Sequence, residues 1–261
     1  MPMLEPANPQ EVKDWIDVGF RLGRAGQIYI GYMMTTALAD GGGSVELKPH
    51  HWPKFNHRQR VALSYERDIK PRLDQTVLLP PRTWQRELGM EARHKAVCAE
   101  ARRLGVNAIL NRPQKGERVP MGFVSVGMGH SYLMQTLAEL GLGGRLPVLR
   151  LGLSYPIDEQ LVLEFARQCR QLIVVEERRN FVERQIRELL DGHRQRGEID
   201  VEVWGKKLPR DLPGIPATRG LNTSVLIKCL VPLIRDHPTL PVELTNGRLS
   251  AEVNRLEQTA E

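Results

Sequence analysis

The segment VSVGMGHS contains four residues, Gly127, Gly129, His130 and Ser131, whose types and spacing suit anion binding. A strand that passes through Gly-x-Gly into a helix leaves bare N–H groups at the helix N-terminus, a natural seat for phosphate. A dinucleotide fingerprint also needs a third glycine and an acid beyond the next strand. Here the third position is Tyr132, and the next strand, PVLRLGLSYP, ends without an acid. The same turn serves equally well as a tight junction in which the glycines allow close packing. These four residues are the only cofactor-binding candidates, and the fingerprint they make is partial.

A second constellation is IVVEER, with Glu176 and Glu177 at the C-terminal end of an apolar run. In a parallel sheet that end faces the ligand or interface edge. Paired acids there fit ion pairs with Arg178 or Arg179. A general acid needs a placed partner, and no His or nucleophile accompanies them. His50, His51 and His57 cluster in KPHHWPKFNHRQR without a cysteine or a suitably spaced acid. Zinc wants three or four converging ligands, so these read as surface histidines. Cys98, Cys169 and Cys229 lie far apart and form no CxxC, which argues against a disulfide framework or a cluster motif. No nucleophile elbow, P-loop or HExxH is present. The residues alone assign no catalytic position and no metal ligand.

The elements that carry these residues follow from pattern. Asn8-Pro9 with Glu11 starts a helix with apolar positions Val12, Trp15, Ile16 and Phe20, and Gly23 and Gly26 end it. QIYIGYMM then reads as a strand, and residues 1–39 make one partial α/β unit. Residues 40–120 read as a proline-broken linker with a helix over 86–104, stopped by Gly105. Residues 121–212 alternate strands with helices of ten to twelve residues, which implies a parallel sheet covered by helices on both faces. This domain is expected to stand apart from residues 1–39. Residues 213–261 hold a connector helix, TSVLIKCLVPLI, and a polar tail.

The chain of 261 residues carries a net charge of +6, with basic and acidic residues interspersed. Without a clustered basic face, nucleic-acid binding is not expected, whereas an acidic protein partner is compatible with the charge. No apolar run is long enough for a membrane helix and no signal peptide is visible, so a cytoplasmic location is the default expectation.

The order of segments resembles a known family. PMLEPANPQEVKDWIDVGFRL is similar to the end of the pyrimidine-binding domain of indolepyruvate ferredoxin oxidoreductase alpha subunits, which are thiamine-diphosphate-dependent 2-oxoacid:ferredoxin oxidoreductases. GFVSVGMGHSYLMQTLAELGL, the stretch from VLRLGLSYP through VVEERRNFVERQIREL, and DVEVWGK are similar to the transketolase C-terminal-like domain that follows. The resemblance implies oxidative decarboxylation of an aryl 2-oxoacid to an acyl-CoA, with electrons passed to ferredoxin. It implies thiamine diphosphate, Mg2+ and [4Fe-4S] clusters for the full enzyme and none of them for this chain, because the family's cofactor positions lie outside these residues. The chain is therefore expected to be inactive alone. It would need the thiamine-binding and iron–sulfur segments or a partner subunit, and would self-associate through apolar surface on its front unit. The family pattern also has a Thr-Thr-Arg segment with a Ser-His pair beyond. Here Thr35 and Thr36 are followed by Ala37 and Asp40, so a cation and a polar group are missing. Two other readings remain: an inactive structural or assembly remnant, and an unrelated nucleotide-binding α/β enzyme built on the glycine turn.

Overall fold

The computed structural model describes residues 1–47, 64–73, 79–240, 247, 251, 254 and 255. The front of the chain comprises β1 (Met3–Leu4), α1 (Pro9–Gly26), β2 (Gly31–Tyr32) and the short α2 (Thr36–Ala39). The start of α1 is set locally. Asn8 Oδ1 accepts from Glu11 N at 2.9 Å and Glu11 Oε2 accepts from Ala7 N at 2.9 Å, so two otherwise orphaned amides are satisfied reciprocally. The helix closes on Gln27, which takes a left-handed conformation. Of the eight residues read as a strand, only Gly31 and Tyr32 pair.

Two helices, α3 (Arg82–Leu88) and α4 (Met90–Arg103), then form where one was expected, broken at Gly89. The main sheet is built from β3 (Asn107–Leu110), β4 (Val119–Val126), β5 (Val148–Leu151), β7 (Cys169–Val175) and β8 (Glu202–Trp204), in the order β3-β5-β4-β7-β8. The last four strands run parallel, and β3 is an antiparallel edge beside β5. Helices α5 (Met128–Glu139), α6 (Glu159–Gln168), α7 (Phe181–Gln195) and α8 (Thr223–Arg235) cover it.

Strand residues alternate cleanly between two cores. Met121, Phe123, Ile173 and Val175 face α5 and α8 through Leu133, Leu137, Leu226 and Leu230. Val124, Val126, Leu172 and Val174 face α6 and α7 through Leu161, Phe165, Ile186 and Leu190. A strand buried on both faces needs a continuous apolar run, and GFVSVG and LIVV supply one. Two findings differ from the boundaries read at 121 and 213. Edge strand β3 comes from the supposed linker, and α8, read as a connector, forms one layer of the core.

The front unit does not stand apart either. Strand β6 (Leu153–Tyr155) continues β5 beyond Gly152 and pairs antiparallel with β1, giving a second, three-stranded sheet ordered β2-β1-β6. A Cβ at Gly152 would run into Trp15 and stand 2.7 Å from Val106 Cγ1, so the missing side chain lets α1 close on the junction. Trp15, one of the apolar positions of α1, is buried with Leu4, Leu22, Val97 and Leu153. Polar contacts lock the same seam. Glu5 N donates to Gly152 O at 2.8 Å, and Arg150 pairs with Glu11.

Candidate functional site

The C-terminal ends of β4, β5 and β7 meet at one edge, where open α/β sheets usually hold ligands. All four turn residues singled out in the sequence lie there. Gly127 caps α5 with φ 51 and ψ −140, a backbone that strongly favours glycine. A Cβ on it would stand 2.8 Å from Glu5 Oε2. A Cβ on Gly129 would stand 2.8 Å from Val175 O and 3.4 Å from Glu176 Cα. Both glycines thus permit close approach of the chain's own groups. Ser131 Oγ donates to Ala7 O at 2.7 Å. His130 is buried, with Nδ1 2.9 Å from Ser125 Oγ. Burial, aided by the Arg150 charge, holds its imidazole down at about 4, so it is neutral at physiological pH.

Glu5 reaches this edge from β1, more than a hundred residues upstream. Its Oε1 accepts from Ser154 Oγ at 3.1 Å. Burial raises its pKa to about 7; the Ser154 bond opposes the shift, and the Glu176 and Glu177 charges add to it. The turn that suggested a phosphate therefore faces the Glu5 carboxyl, on which the Glu176 and Glu177 charges also act. Such surroundings disfavour a further anion and suit a group that exchanges a proton near neutrality.

Glu176 does not pair with Arg178 or Arg179. Its two oxygens accept from Val182 N at 2.7 Å and Glu183 N at 3.0 Å, capping α7. Burial pushes this carboxyl up, while the two amides and Lys206 work against that shift. Lys206 Nζ also donates to Glu176 O at 2.6 Å, and burial pushes the ammonium down.

Sequence reasoning missed Glu5, Ser154, Arg150 and Glu11 as members of one seam. The capping pair at Asn8 and Glu11 was legible. The Arg150 guanidinium, which also stands 5.1 Å over the Trp15 ring, is brought there only by the fold. Thr35, beside the Ala37 and Asp40 departures, precedes α2 and has a buried hydroxyl with no partner among the described residues. His50, His51 and His57 lie outside the described residues. The thiols of Cys98, Cys169 and Cys229 are free and buried in three different cores, one per core. No His, Cys, Asp and Glu grouping able to hold a metal occurs among the described residues. None of the described helices is long and apolar enough to cross a membrane.

Residues 111–222, which span the glycine turn, Glu176 and the four parallel strands of the sheet, match the family model of the indolepyruvate oxidoreductase domain. Indolepyruvate oxidoreductase subunit IorA of Methanothermobacter marburgensis is 29% identical over 217 residues, covering 82% of this chain and 32% of that protein. The chain is similar to these subunits. The IorA of Methanothermobacter thermautotrophicus is also 29% identical, over 251 residues that cover 91% of the chain and 37% of the relative. The chain thus spans about a third of the length of the IorA subunits it matches. Among solved structures, a 2-oxoglutarate:ferredoxin oxidoreductase from Magnetococcus marinus, with 2-oxoglutarate, coenzyme A and succinyl-CoA bound, is similar at TM-score 0.47. It shares 12% identity and covers 86% of this chain and 41% of that one.

Proposed function

We propose that this chain is a subunit or fragment of an indolepyruvate-type 2-oxoacid:ferredoxin oxidoreductase, contributing scaffold and not reaction chemistry. The observation that carries this reading is the match to IorA subunits, which covers 91% of this chain in one relative, together with the family match over residues 111–222. In such a complex the reaction is oxidative decarboxylation of an aryl 2-oxoacid to an acyl-CoA, with ferredoxin as electron acceptor. Thiamine diphosphate, when bound elsewhere in the complex, supplies the carbanion chemistry. The described residues do not fit the other implied groups. A [4Fe-4S] cluster needs converging thiolates, and the three thiols here lie in separate cores. Accordingly no catalytic step is assigned to this chain. Gly127 and Ser131 serve to seat the front unit on the sheet edge, since Glu5 and Ala7 are their partners, while Gly129 packs on Val175 and His130 bonds Ser125.

The test is reconstitution. The chain, indolepyruvate, coenzyme A and a viologen dye should give no dye reduction. Adding a partner that carries the thiamine and iron–sulfur segments should give reduction that depends on both this chain and the 2-oxoacid. Equal rates with and without the chain would sink the subunit reading. A second reading, an assembly scaffold without activity, draws support from Ala37 and Asp40 standing where the family carries a cation and a polar group. Under it, the assembled complex forms and stays dark.

A further inference from the structure

The front unit meets the main sheet along a narrow seam. Strand β1 contributes only Met3 and Leu4 to the pairing with β6. Beside that pairing the half-buried side chain of Glu5 sits against the glycine turn. Its Oε2 lies where a Cβ on Gly127 would be 2.8 Å away, and it finds no donor among the described residues. Its Oε1 shares Ser154 of β6 with the backbone. Ser154 Oγ is 3.1 Å from Glu5 Oε1 and 3.4 Å from Met3 O, and it has one proton to give. An ionised Glu5 takes that proton. A neutral Glu5 donates its own proton to Ser154 Oγ, and the hydroxyl then bonds Met3 O and ties β1 to β6. The protonation state of one side chain thus decides whether the seam has this bond.

The surroundings favour the neutral acid. Glu176 and Glu177, at the end of β7, both act on Glu5. The cations of this edge are engaged elsewhere: Arg150 of β5 pairs with Glu11 of α1, and Lys206, after β8, donates to Glu176 O. His130 of α5 is neutral well above about 4, and the phenols of Tyr32 and Tyr132 are pushed up by burial and stay uncharged. Burial first, then the two carboxylates, bring the Glu5 carboxyl up to about 7 against the Ser154 bond. A closed seam therefore holds this proton more tightly than an open one. Closure is favoured at low pH and is opposed as the pH rises from 4.5 through 7.

We propose that Glu5 is a pH-dependent latch: as the neutral acid it holds the front unit on the sheet edge, and as the carboxylate it lets the seam open locally while the main sheet stays folded. The two cores of the main sheet contain no residue of the front unit, so the seam can open without them. The inference does not require the oxidoreductase reading.

Hydrogen exchange on the full chain at pH 6 and pH 8 is the test, read as protection factors so that intrinsic base catalysis cancels. The reporter is the amide of residue 5, which donates to Gly152 O at 2.8 Å across the seam. Glu5→Gln keeps the shape and cannot ionise. It also retains His130, so the ratio of wild type to variant isolates Glu5. That ratio should fall about tenfold from pH 6 to pH 8, the factor given by a carboxyl at about 7 closed and 4.5 open. Dilute urea should speed exchange in β4 and β7 and leave residue 5 unchanged, because a local opening exposes little surface. Glu177→Gln, read directly against wild type, removes a charge that acts on Glu5 and should make the pH-dependent fall smaller. A ratio that is flat with pH, a fall that Glu177→Gln leaves equal or enlarges, or a residue 5 amide that speeds up in urea in step with β4 and β7 would overturn the proposal. The last of these would mean that the seam opens only when the whole chain unfolds.

Discussion

The main sheet and the front unit use the same element types and reach opposite outcomes. In the main sheet the central strands β4 and β7 are buried at successive positions, and α5 and α8 on one face and α6 and α7 on the other cover them. In the front unit α1 and α4 cover one side of a short sheet, and the side with Ile16, Phe20 and Tyr29 stays open. Strands buried on both faces specify a closed layer; a strand with one helix and one neighbour specifies half of one. The open half nonetheless folds against the rest, because a dense polar seam ties it to the ligand edge of the closed half. Among the described residues, the main sheet is thus covered on both faces and the front unit on one.

The largest expected effect contrasts two phenylalanines. Phe123→Ala empties a fully buried site in the closed sheet and should cost about 3–5 kcal/mol. Phe20→Ala in the open face should change stability by no more than about 0.5 kcal/mol. Urea melts of the two variants measure both, and similar losses would mean that the front face is packed.

Next comes the polar lock between α4 and α6. Asp158 is fully buried, caps α6 through Leu161 N at 3.2 Å, and is paired with Arg102. Arg102→Ala would leave a buried carboxylate without its cation and should cost about 3 kcal/mol. A loss under about 1 kcal/mol, the range of surface pairs, would show the pair to be decorative.

Glu5 sharpens the comparison through pH. In the folded chain its pKa stands at about 7, above the ordinary 4.5, so the folded state binds more protons between those values. The penalty for ionising it is absent below 4.5, grows as pH rises through 7, and is complete above that. His130 works the other way. Its pKa is lowered from 6.5 to about 4, so its penalty is absent above 6.5 and grows as pH falls toward 4. Glu5→Gln should therefore gain stability at pH 8 relative to pH 4 by at most about 3 kcal/mol, leaving the acid-side loss from His130 exposed. Thermal midpoints across that range provide the check, and an unchanged pH profile would remove Glu5 from the seam.

The smallest effect is the cap. Asn8→Ala should cost about 1 kcal/mol, read as a small fall in the urea midpoint.

What was legible in the sequence was local. Apolar runs of GFVSVG and LIVV gave the doubly buried strands, Asn8 the start of α1, and Gly105, with positive φ, the stop of α4. What was not legible depends on partners distant in the chain. NAIL becomes a strand only because β5 lies beside it, and two-residue β1 and β2 carry no periodic signal at all. The meaning of Gly127 rested on Glu5, which no spacing rule connects to it. One signal was available: Gly152 inside PVLRLGLSYP marks a close backbone approach in a strand, and Trp15 is what approaches.

Hydrogen exchange on the free chain tests the contrast between a covered sheet and an open front face most directly. Amides of β4 and β7 should be the slowest, opening only with global unfolding, and the seam amides Glu5 and Gly152 should also be protected. Ile30 and Tyr32 on the outer edge of β2 should exchange orders of magnitude faster. Equal protection of β2 and β4 would contradict the account, because the front face would then be closed within the chain itself.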